Sequence, residues 1–425
     1  MRLLHTADWH AGRNLRGMDR TPEIVAALEQ ILEIARDTKA DAILVAGDLF
    51  DTQNPSAEAE TAVYRFFLEA GRIGIPCAVI AGNHDSGQRL ESVAGLLKHV
   101  NVTMLGTVKP GMGAIELETN AGLLRVAALP FLSERRLVKA AMLLETGLDV
   151  GAWRQKYREG MEFFLHKLET GFRDNAVNTM MLHTTVDGGT LSQTEHSFHV
   201  GNSYSISPDV FPSAAQYVAL GHLHKPQSVN DLPPAQYSGS VIQLDFGEAG
   251  DEKRVNLVEV EPGRRAKITS LPLTLVKPLK TVRVDLDSLE RRLEEFQSFQ
   301  GWLKVIVSTP EPKPGLKDRV IGVLPGALAV EVELSEGTKR ELAAAPEHLT
   351  PIEAFERYYS EKRGADLPEN VRNAFMELQL EINGELPREE NVLEDAPDLE
   401  PPEFEPPEFE PPELDALPLE LMEDA

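Results

Sequence analysis

The chain has 425 residues, 42% hydrophobic and 26% charged, an ordinary globular mixture with material for two or three domains. A single cysteine, Cys77, excludes an internal disulfide, and no run approaches the ~20 apolar residues that a membrane span needs. The net charge of −26 excludes a broad basic groove for phosphate backbones, although residues 385–425 alone hold 16 acidic residues and one basic, and without their −15 the rest stands at −11.

The opening Met1-Arg2-Leu3-Leu4-His5 runs into polar residues with no apolar leader region, and Cys77, inside an apolar run, reads as a small core residue. Both fit a reducing, cytoplasmic setting. Residues 3–7 predict a short strand. Thr21-Pro22 opens a helix in which Ile24, Leu28, Ile31 and Ala35 recur at helical spacing. Residues 42–46 read as a buried strand, 57–70 as a helix, 75–81 as a strand and 88–98 as a helix. This βαβα rhythm predicts a sheet covered by helices. Residues 114–118 and 123–127 read as a hairpin, 150–172 as a long helix, and 177–182, 216–220, 235–241 and 255–260 as strands. The expected fold is a two-sheet α/β sandwich over residues 1–275.

The composition shifts at Pro272 to Pro278. Strands at 281–286, 302–308 and 327–334, with a helix at 288–299, predict a small α+β domain over 276–337. Residues 345–384 predict two short amphipathic helices, the first opened by the capping box Thr350-Pro351-Ile352-Glu353. Ile352, Phe355 and Tyr359 share one face, and Val371, Phe375, Leu378 and Ile382 another. These faces either pack on their own domain or dock a partner, and the residues alone favour neither. The tail 385–425 repeats Pro-Pro-Glu-Phe-Glu and has too little apolar surface to offset ordering entropy, so it is expected to be a disordered spacer, or else an acidic strip for a partner.

Polar motifs follow the predicted strands: Asp8-Trp9-His10, Gly47-Asp48-Leu49-Phe50-Asp51, Gly82-Asn83-His84-Asp85, His183 and Gly221-His222-Leu223-His224. Ligand sites of α/β sheets gather at the carboxyl ends of strands. In Asp8-x-His10 and His222-x-His224 the paired side chains point the same way if the backbone stays extended. Phosphodiester cleavage needs charge neutralised on phosphate and a water made nucleophilic, and two divalent ions about 3.5–4 Å apart do both. Asp48 is the candidate bridging carboxylate, Asn83 a neutral oxygen ligand, and His10, His183, His222 and His224 nitrogen ligands. A mixed nitrogen and oxygen set without cysteine suits Mn²⁺, Fe²⁺ or Zn²⁺. Each motif alone is a weak signal; all of them in this order are a strong one.

The same motifs resemble the calcineurin-like metallophosphoesterase superfamily. Within it, His5-Thr6-Ala7-Asp8-Trp9-His10, Ala81-Gly82-Asn83-His84-Asp85-Ser86, residues 219–227 and Tyr237-Ser238-Gly239-Ser240 resemble the bacterial SbcD nuclease family. The resemblance implies that Asp8, His10 and His224 hold one metal, that Asn83, His183 and His222 hold the other, and that Asp48 bridges them. It implies His84 as the general acid, Mn²⁺ as the preferred metal, and a homodimer working with an SbcC-type coiled-coil ATPase. The substrates implied are DNA duplex ends, cut 3′ to 5′, and single-stranded or hairpin DNA, cut internally, in double-strand break repair and recombination. Residues 276–337 then correspond to a DNA-capping domain and 345–384 to the ATPase-docking region. Asp51 departs from relatives that carry His there and is expected to support the ligands. Two other readings remain: a small-molecule phosphodiesterase or phosphatase, which would not need residues 276–384, and a non-enzymatic scaffold for DNA ends, which would not need all seven ligands.

Overall fold

The computed structural model describes residues 1–108, 113–132, 150–190, 192, 205–310 and 313–334, with scattered positions between 352 and 376. The first half runs β1 (Arg2–Thr6), the short ribbon β2 (Asn14–Leu15) and β3 (Met18–Asp19), α1 (Thr21–Asp37), β4 (Ala42–Ala46), α2 (Ala57–Arg72), β5 (Cys77–Ile80), α3 (Gly87–Leu97) and β6 (Val102–Leu105). It continues through the hairpin β7 (Ile115–Thr119) and β8 (Gly122–Leu129), α4 (Val150–Glu169), β9 (Val177–His183), β10 (Tyr217–Gly221), β11 (Gln227–Asp231), β12 (Pro234–Tyr237), β13 (Arg254–Glu259) and β14 (Lys267–Pro272).

Two six-stranded sheets result, ordered β14-β13-β1-β4-β5-β6 and β11-β12-β10-β9-β8-β7. Strands β1, β4, β5 and β6 are mutually parallel, as are β8, β9, β10 and β12. Strand β4, Ala-Ile-Leu-Val-Ala, is buried along its whole length because both its faces are covered, as a central parallel strand requires. Ile43 and Val45 face α1 to α3, where Ile24, Leu28, Val63 and Phe67 meet them. Leu44, with Leu3 and Ile80, faces Val126, Met181 and Tyr217 of the second sheet. The outer face of that sheet packs under Tyr157, Met161 and Leu165 of α4. The arrangement is the expected α/β sandwich, layered helix, sheet, sheet, helix. Helix α2 starts where Ser56 accepts a hydrogen bond from the Ala59 N–H at 3.3 Å, a side-chain cap for an otherwise orphaned donor.

A second α/β layer follows: β15 (Leu279–Asp285), α5 (Leu289–Glu294), β16 (Trp302–Thr309), α6 (Leu316–Val323) and β17 (Ala327–Leu334), in a parallel sheet ordered β15-β16-β17. It has its own core of Val284, Leu289, Val305 and Val320. Three contacts fasten it to the sandwich. Leu279 and Ala329 pack on Leu15 and Phe246, the Leu279 N–H donates to Gln243 Oε1 at 2.7 Å, and the Trp302 indole donates to Glu23 at 2.9 Å. Glu23 is in turn paired with the buried Arg20 at 2.6 Å.

Two expectations change, and a helix is added. The strand expected at 235–241 ends at Tyr237, because Gly239 turns left-handed (φ 76°) with its α-carbon against the His224 carbonyl and Pro226, where no side chain fits. The helix expected over 288–299 is regular only to Glu294. Helix α6 was hidden behind the proline-rich stretch 310–314. Cys77 is fully buried, and burial pushes its thiol up to about 12.

The C-terminal unit begins at Ala343. In it Ile352, Phe355, Glu356 and residues 358–360 are helical, as are Glu369, Val371, Arg372, Phe375 and Met376. The Phe355 and Phe375 rings stack at 4.6 Å and 10°, so the two predicted apolar faces meet each other at that point. Residues 385–425, expected to form a spacer, lie outside the described residues. Among the described residues no helix is long and apolar enough to cross a membrane.

Candidate metal centre

The carboxyl ends of β1, β4, β5, β9 and β10 all emerge at one edge of the sandwich, and they carry Asp8 and His10, Asp48, Asn83 and His84, His183, and His222 and His224 respectively. The extended geometry expected for Asp8-x-His10 is corrected. Asp8, His10, Asp48 and His222 all have left-handed backbones, with φ of 52°, 49°, 51° and 101°. Each such residue costs roughly 1–2 kcal/mol, a strain typical of functional loops. Cross-strand bonds hold it: Asp8 N–H to the Gly47 carbonyl (3.0 Å), His10 N–H to the Asp48 carbonyl (3.1 Å) and His222 N–H to Asp8 Oδ1 (2.9 Å). Below the loops, Trp9 is fully buried edge-on against Phe66 of α2 at 4.8 Å and anchors the first motif in the core. The loops also approach so closely that a side chain at Gly82 would collide with the Asp48 carboxylate, and one at Gly221 with the Ala46 carbonyl.

The donors converge. Donor atoms of Asp8, His10 and His224 lie within 4.8 Å of one another, and so do those of Asp8, Asp48 and His183. His10 Nε2 stands 3.2 Å from His224 Nε2. Asn83 Oδ1 lies 3.0 Å from His183 Nε2 and 2.9 Å from His222 Nδ1. Asp48 Oδ2 sits between the two groups, 3.7 Å from His10 Nε2 and 3.3 Å from His183 Nε2. Four buried imidazoles, two carboxylates and one amide oxygen therefore meet in one place.

The outer ring nitrogens decide what faces inward. The Ala46 carbonyl can only accept, so His183 donates through Nδ1 at 2.8 Å and turns Nε2 toward Asp48 and Asn83. His10 likewise donates Nδ1 to Asp51 at 3.2 Å, and Asp51 also accepts from Arg13 at 3.2 Å. Lone pairs aimed at one another and at carboxylate oxygens are a repulsive set unless a cation stands among them, so the residues fit a divalent metal.

The electrostatics point the same way. Burial would raise the Asp48 carboxyl, but His183 and His10 outweigh it and hold Asp48 well below the usual carboxylate range. Burial would lower His183, but Asp48 outweighs that and lifts it to about 9: without a cation, a proton takes its place. Burial pulls His10 down, against the opposing pull of Asp51 and Asp48. Asp51 is held below its usual value, the hydrogen bond from His10 and the charge of Arg13 overcoming its burial.

All eight predicted residues are brought together, His84 included: its ring lies 4.9 Å from that of His10, and its Nδ1 donates to the Asp51 carbonyl at 2.8 Å. Sequence reasoning missed three neighbours. Asp85 accepts from the N–H groups of Gly82 (2.8 Å), Leu49 (3.2 Å) and Phe50 (3.0 Å), stapling two motif loops together. Burial and the charge of Asp48 push its carboxyl up to about 6. Phe131 stacks on His222 and meets His183 edge-on, both at 6.2 Å, walling one side of the centre. Glu248 stands 3.1 Å behind His224. The place of Asp85 inside Gly-Asn-His-Asp was a usable signal; Phe131 and Glu248 had none, since a lone Phe after Pro130 or a lone Glu after Gly247 has no period or spacing.

Comparison with known proteins agrees. Residues 1–226 match the calcineurin-like phosphoesterase family, and residues 276–363 match the type 5 capsule protein repressor C-terminal domain. The chain is 32% identical over 385 residues to the SbcD component of the SbcCD nuclease of Bacillus subtilis, covering 89% of this chain and 97% of that protein. It is 34% identical over 380 residues to the component of the same name from Rhodobacter capsulatus, covering 82% and 91%. Against that of Escherichia coli K12 the identity is 28% over 357 residues, covering 80% and 86%.

Proposed function

The chain belongs to the calcineurin-like metallophosphoesterases and, within them, to the SbcD nuclease family, and from that premise we propose how it cuts DNA. Asp8, His10 and His224 would hold one divalent ion and Asn83, His183 and His222 a second, with Asp48 placed to serve both. One observation carries this reading: Asp48 Oδ2 faces His10 Nε2 at 3.7 Å and His183 Nε2 at 3.3 Å, with a separate donor set on either side. When bound, the ions neutralise the phosphate oxygens and lower the pKa of a water. The set of imidazoles with carboxylate and amide oxygens and no thiolate suits Mn²⁺, Fe²⁺ or Zn²⁺, and the family resemblance favours Mn²⁺ among them.

His84 is the general acid. Its Nδ1 is committed to the Asp51 carbonyl, which fixes the ring, so the proton given to the departing 3′ oxygen is the one on Nε2 of the imidazolium form, and the ring is left neutral. Cleavage runs 3′ to 5′ from duplex ends and internally in single-stranded or hairpin DNA, with an SbcC-type ATPase as partner. The layer containing β15, α5, β16, α6 and β17 is the DNA-capping domain. Lys280, Arg283 and Lys304 line a cleft of about 840 Å³ where it meets the sandwich, and Lys280 lies 4.9 Å over the Phe296 ring. Arg283 and Lys304 are paired with Glu333 and Glu331, so the cleft is mixed in charge, in keeping with the acidic chain. Residues 345–384 dock the ATPase. The homodimer forms through α2 and α3: of the apolar residues expected there, Phe66, Phe67 and Leu97 are buried in the core, while Leu96 at 72% and the neighbouring Leu68 at 46% stay exposed; light scattering across a concentration series tests this.

End-labelled duplex and hairpin DNA, assayed with Mn²⁺ and with Mg²⁺ and with and without the ATPase, tests the reading as a whole. Manganese-dependent loss of nucleotides from 3′ ends and opening of hairpins is expected. Hydrolysis of a chromogenic phosphodiester with all DNA forms left intact would replace the nuclease reading with that of a small-molecule phosphodiesterase.

A further inference from the structure

We propose that Glu248, clamped by Lys253, is a positioning residue for His224 that fixes which of its ring nitrogens points into the metal centre. The proposal rests on the reading of His224 as a ligand. Glu248 lies in a short helical turn, Phe246–Glu248, outside every motif. It and Lys253 are fully buried, at 0% and 1% exposure, and lysine and glutamate are almost never buried to that degree unless paired.

A buried charge needs partners, and the partners here are specific. Glu248 Oε1 lies 3.1 Å from His224 Nδ1. Glu248 Oε2 accepts from Lys253 Nζ at 2.7 Å and from the Leu244 N–H at 3.1 Å. Lys253 Nζ also donates to Ser240 Oγ at 2.9 Å and to the main-chain carbonyl of His224 itself at 3.1 Å. Lysine and glutamate thus grip the same histidine at two points, the ammonium at its backbone and the carboxylate at its ring. A carboxylate accepts and does not donate, so His224 carries its proton on Nδ1 and presents Nε2 toward His10 Nε2, 3.2 Å away. A carboxylate behind a ligating imidazole fixes its tautomer and raises its basicity.

A purely structural role would be an odd use of this pair. Replacing a buried ion pair by apolar groups is often neutral or stabilising, so an interior of this kind gains little stability from charge. The orientation of one ring is what the charges add.

The test is calorimetric titration of metal-free full-length protein with Mn²⁺ in four forms: parent, His224→Ala, Glu248→Gln, and Glu248→Gln with Lys253→Met. The parent is expected to take two ions and His224→Ala to lose one. Glu248→Gln is expected to take two, with one site about 10- to 100-fold weaker and the other unchanged. The double variant carries no unpaired buried charge; it should unfold at about the parent temperature yet keep the affinity loss, which separates positioning from stability and serves if the single variant misfolds. Parent affinity at both sites in the double variant overturns the positioning role while leaving the metal centre intact. Retention of two tightly bound ions by His224→Ala overturns the ligand reading instead, and the positioning role with it.

Discussion

The two halves of the proposed metal centre are built from similar side chains and supported differently. In the half around Asp8, His10 and His224, each histidine has a carboxylate behind it: Asp51 at 3.2 Å for His10 and Glu248 at 3.1 Å for His224. In the half around Asn83, His183 and His222, the support of His183 is neutral. His183 leans on the Ala46 carbonyl at 2.8 Å, and Phe131 covers His222. Charged support raises imidazole basicity and strengthens metal binding, whereas a carbonyl and an aromatic wall orient without adding charge. The first half should bind its ion more tightly, and the second should exchange its ion more readily. His84 stands on the side of the first half, beside His10 and bonded to the Asp51 carbonyl.

Removing what the halves share should have the largest effect. Asp48→Asn keeps the shape but replaces the charge that faces both His10 and His183. Elemental analysis should find fewer than two ions per chain, and DNA cleavage should fall by at least about 10³-fold, as expected when metal-assisted chemistry is lost. Two ions bound at parent affinity would remove Asp48 from the bridging position.

Next comes the proton donor. His84→Gln should keep both ions and lower the cleavage rate by about 10²- to 10⁴-fold, the usual range for a general acid. Single-turnover rates measured beside metal content separate the two effects; a normal rate with full occupancy would sink the assignment. A smaller effect should follow from Asp51→Asn, which tests the asymmetry directly. The first half should weaken about 10- to 100-fold while the second is untouched, because only His10 loses its charged support. Equal weakening of both sites in a manganese titration would show that the halves are not separately tuned.

The convergence of the eight candidate site residues was legible in the sequence because each motif interrupts an apolar strand at its carboxyl end, and strand ends in parallel sheets meet at one edge. The parallel core strands β4 and β5 were equally plain, as short apolar runs between amphipathic helices. What was not legible came from contacts distant in sequence. Trp9 looked like part of a polar motif but is a core residue under Phe66. Asp8-x-His10 seemed to need extended backbone, yet its N–H groups donate to the Gly47 and Asp48 carbonyls, about 40 residues on, and the backbone there is left-handed. Strands β11 and β14 are edge strands, half-buried or exposed along much of their length, so their residues show no clean alternation. Glu248 and Lys253 drew no attention because nothing in the local sequence announces that both are buried.

The smallest effect on activity should come from beneath the site, at a buried polar link between the sheets. His5 on β1 and Tyr217 on β10 join the two sheets through a buried 2.8 Å hydrogen bond from ring nitrogen to hydroxyl. Burial dominates the His5 environment and pulls its pKa from 6.5 down to about 3. The fold therefore favours the neutral ring. That contribution is fully present above pH 6.5 and is lost as the pH falls toward 3, because the unfolded chain takes up the proton that the folded one refuses. At pH 4.5 the loss amounts to about 2–3 kcal/mol. His5→Gln can still hydrogen-bond Tyr217 but has nothing to protonate. Urea unfolding of metal-free protein at pH 7 and pH 4.5 should show a smaller fall in stability for this variant than for the parent, with cleavage at neutral pH close to normal. An identical acid sensitivity in the two proteins would mean that the ring is not held neutral, and that the sheets are joined at this point by packing alone.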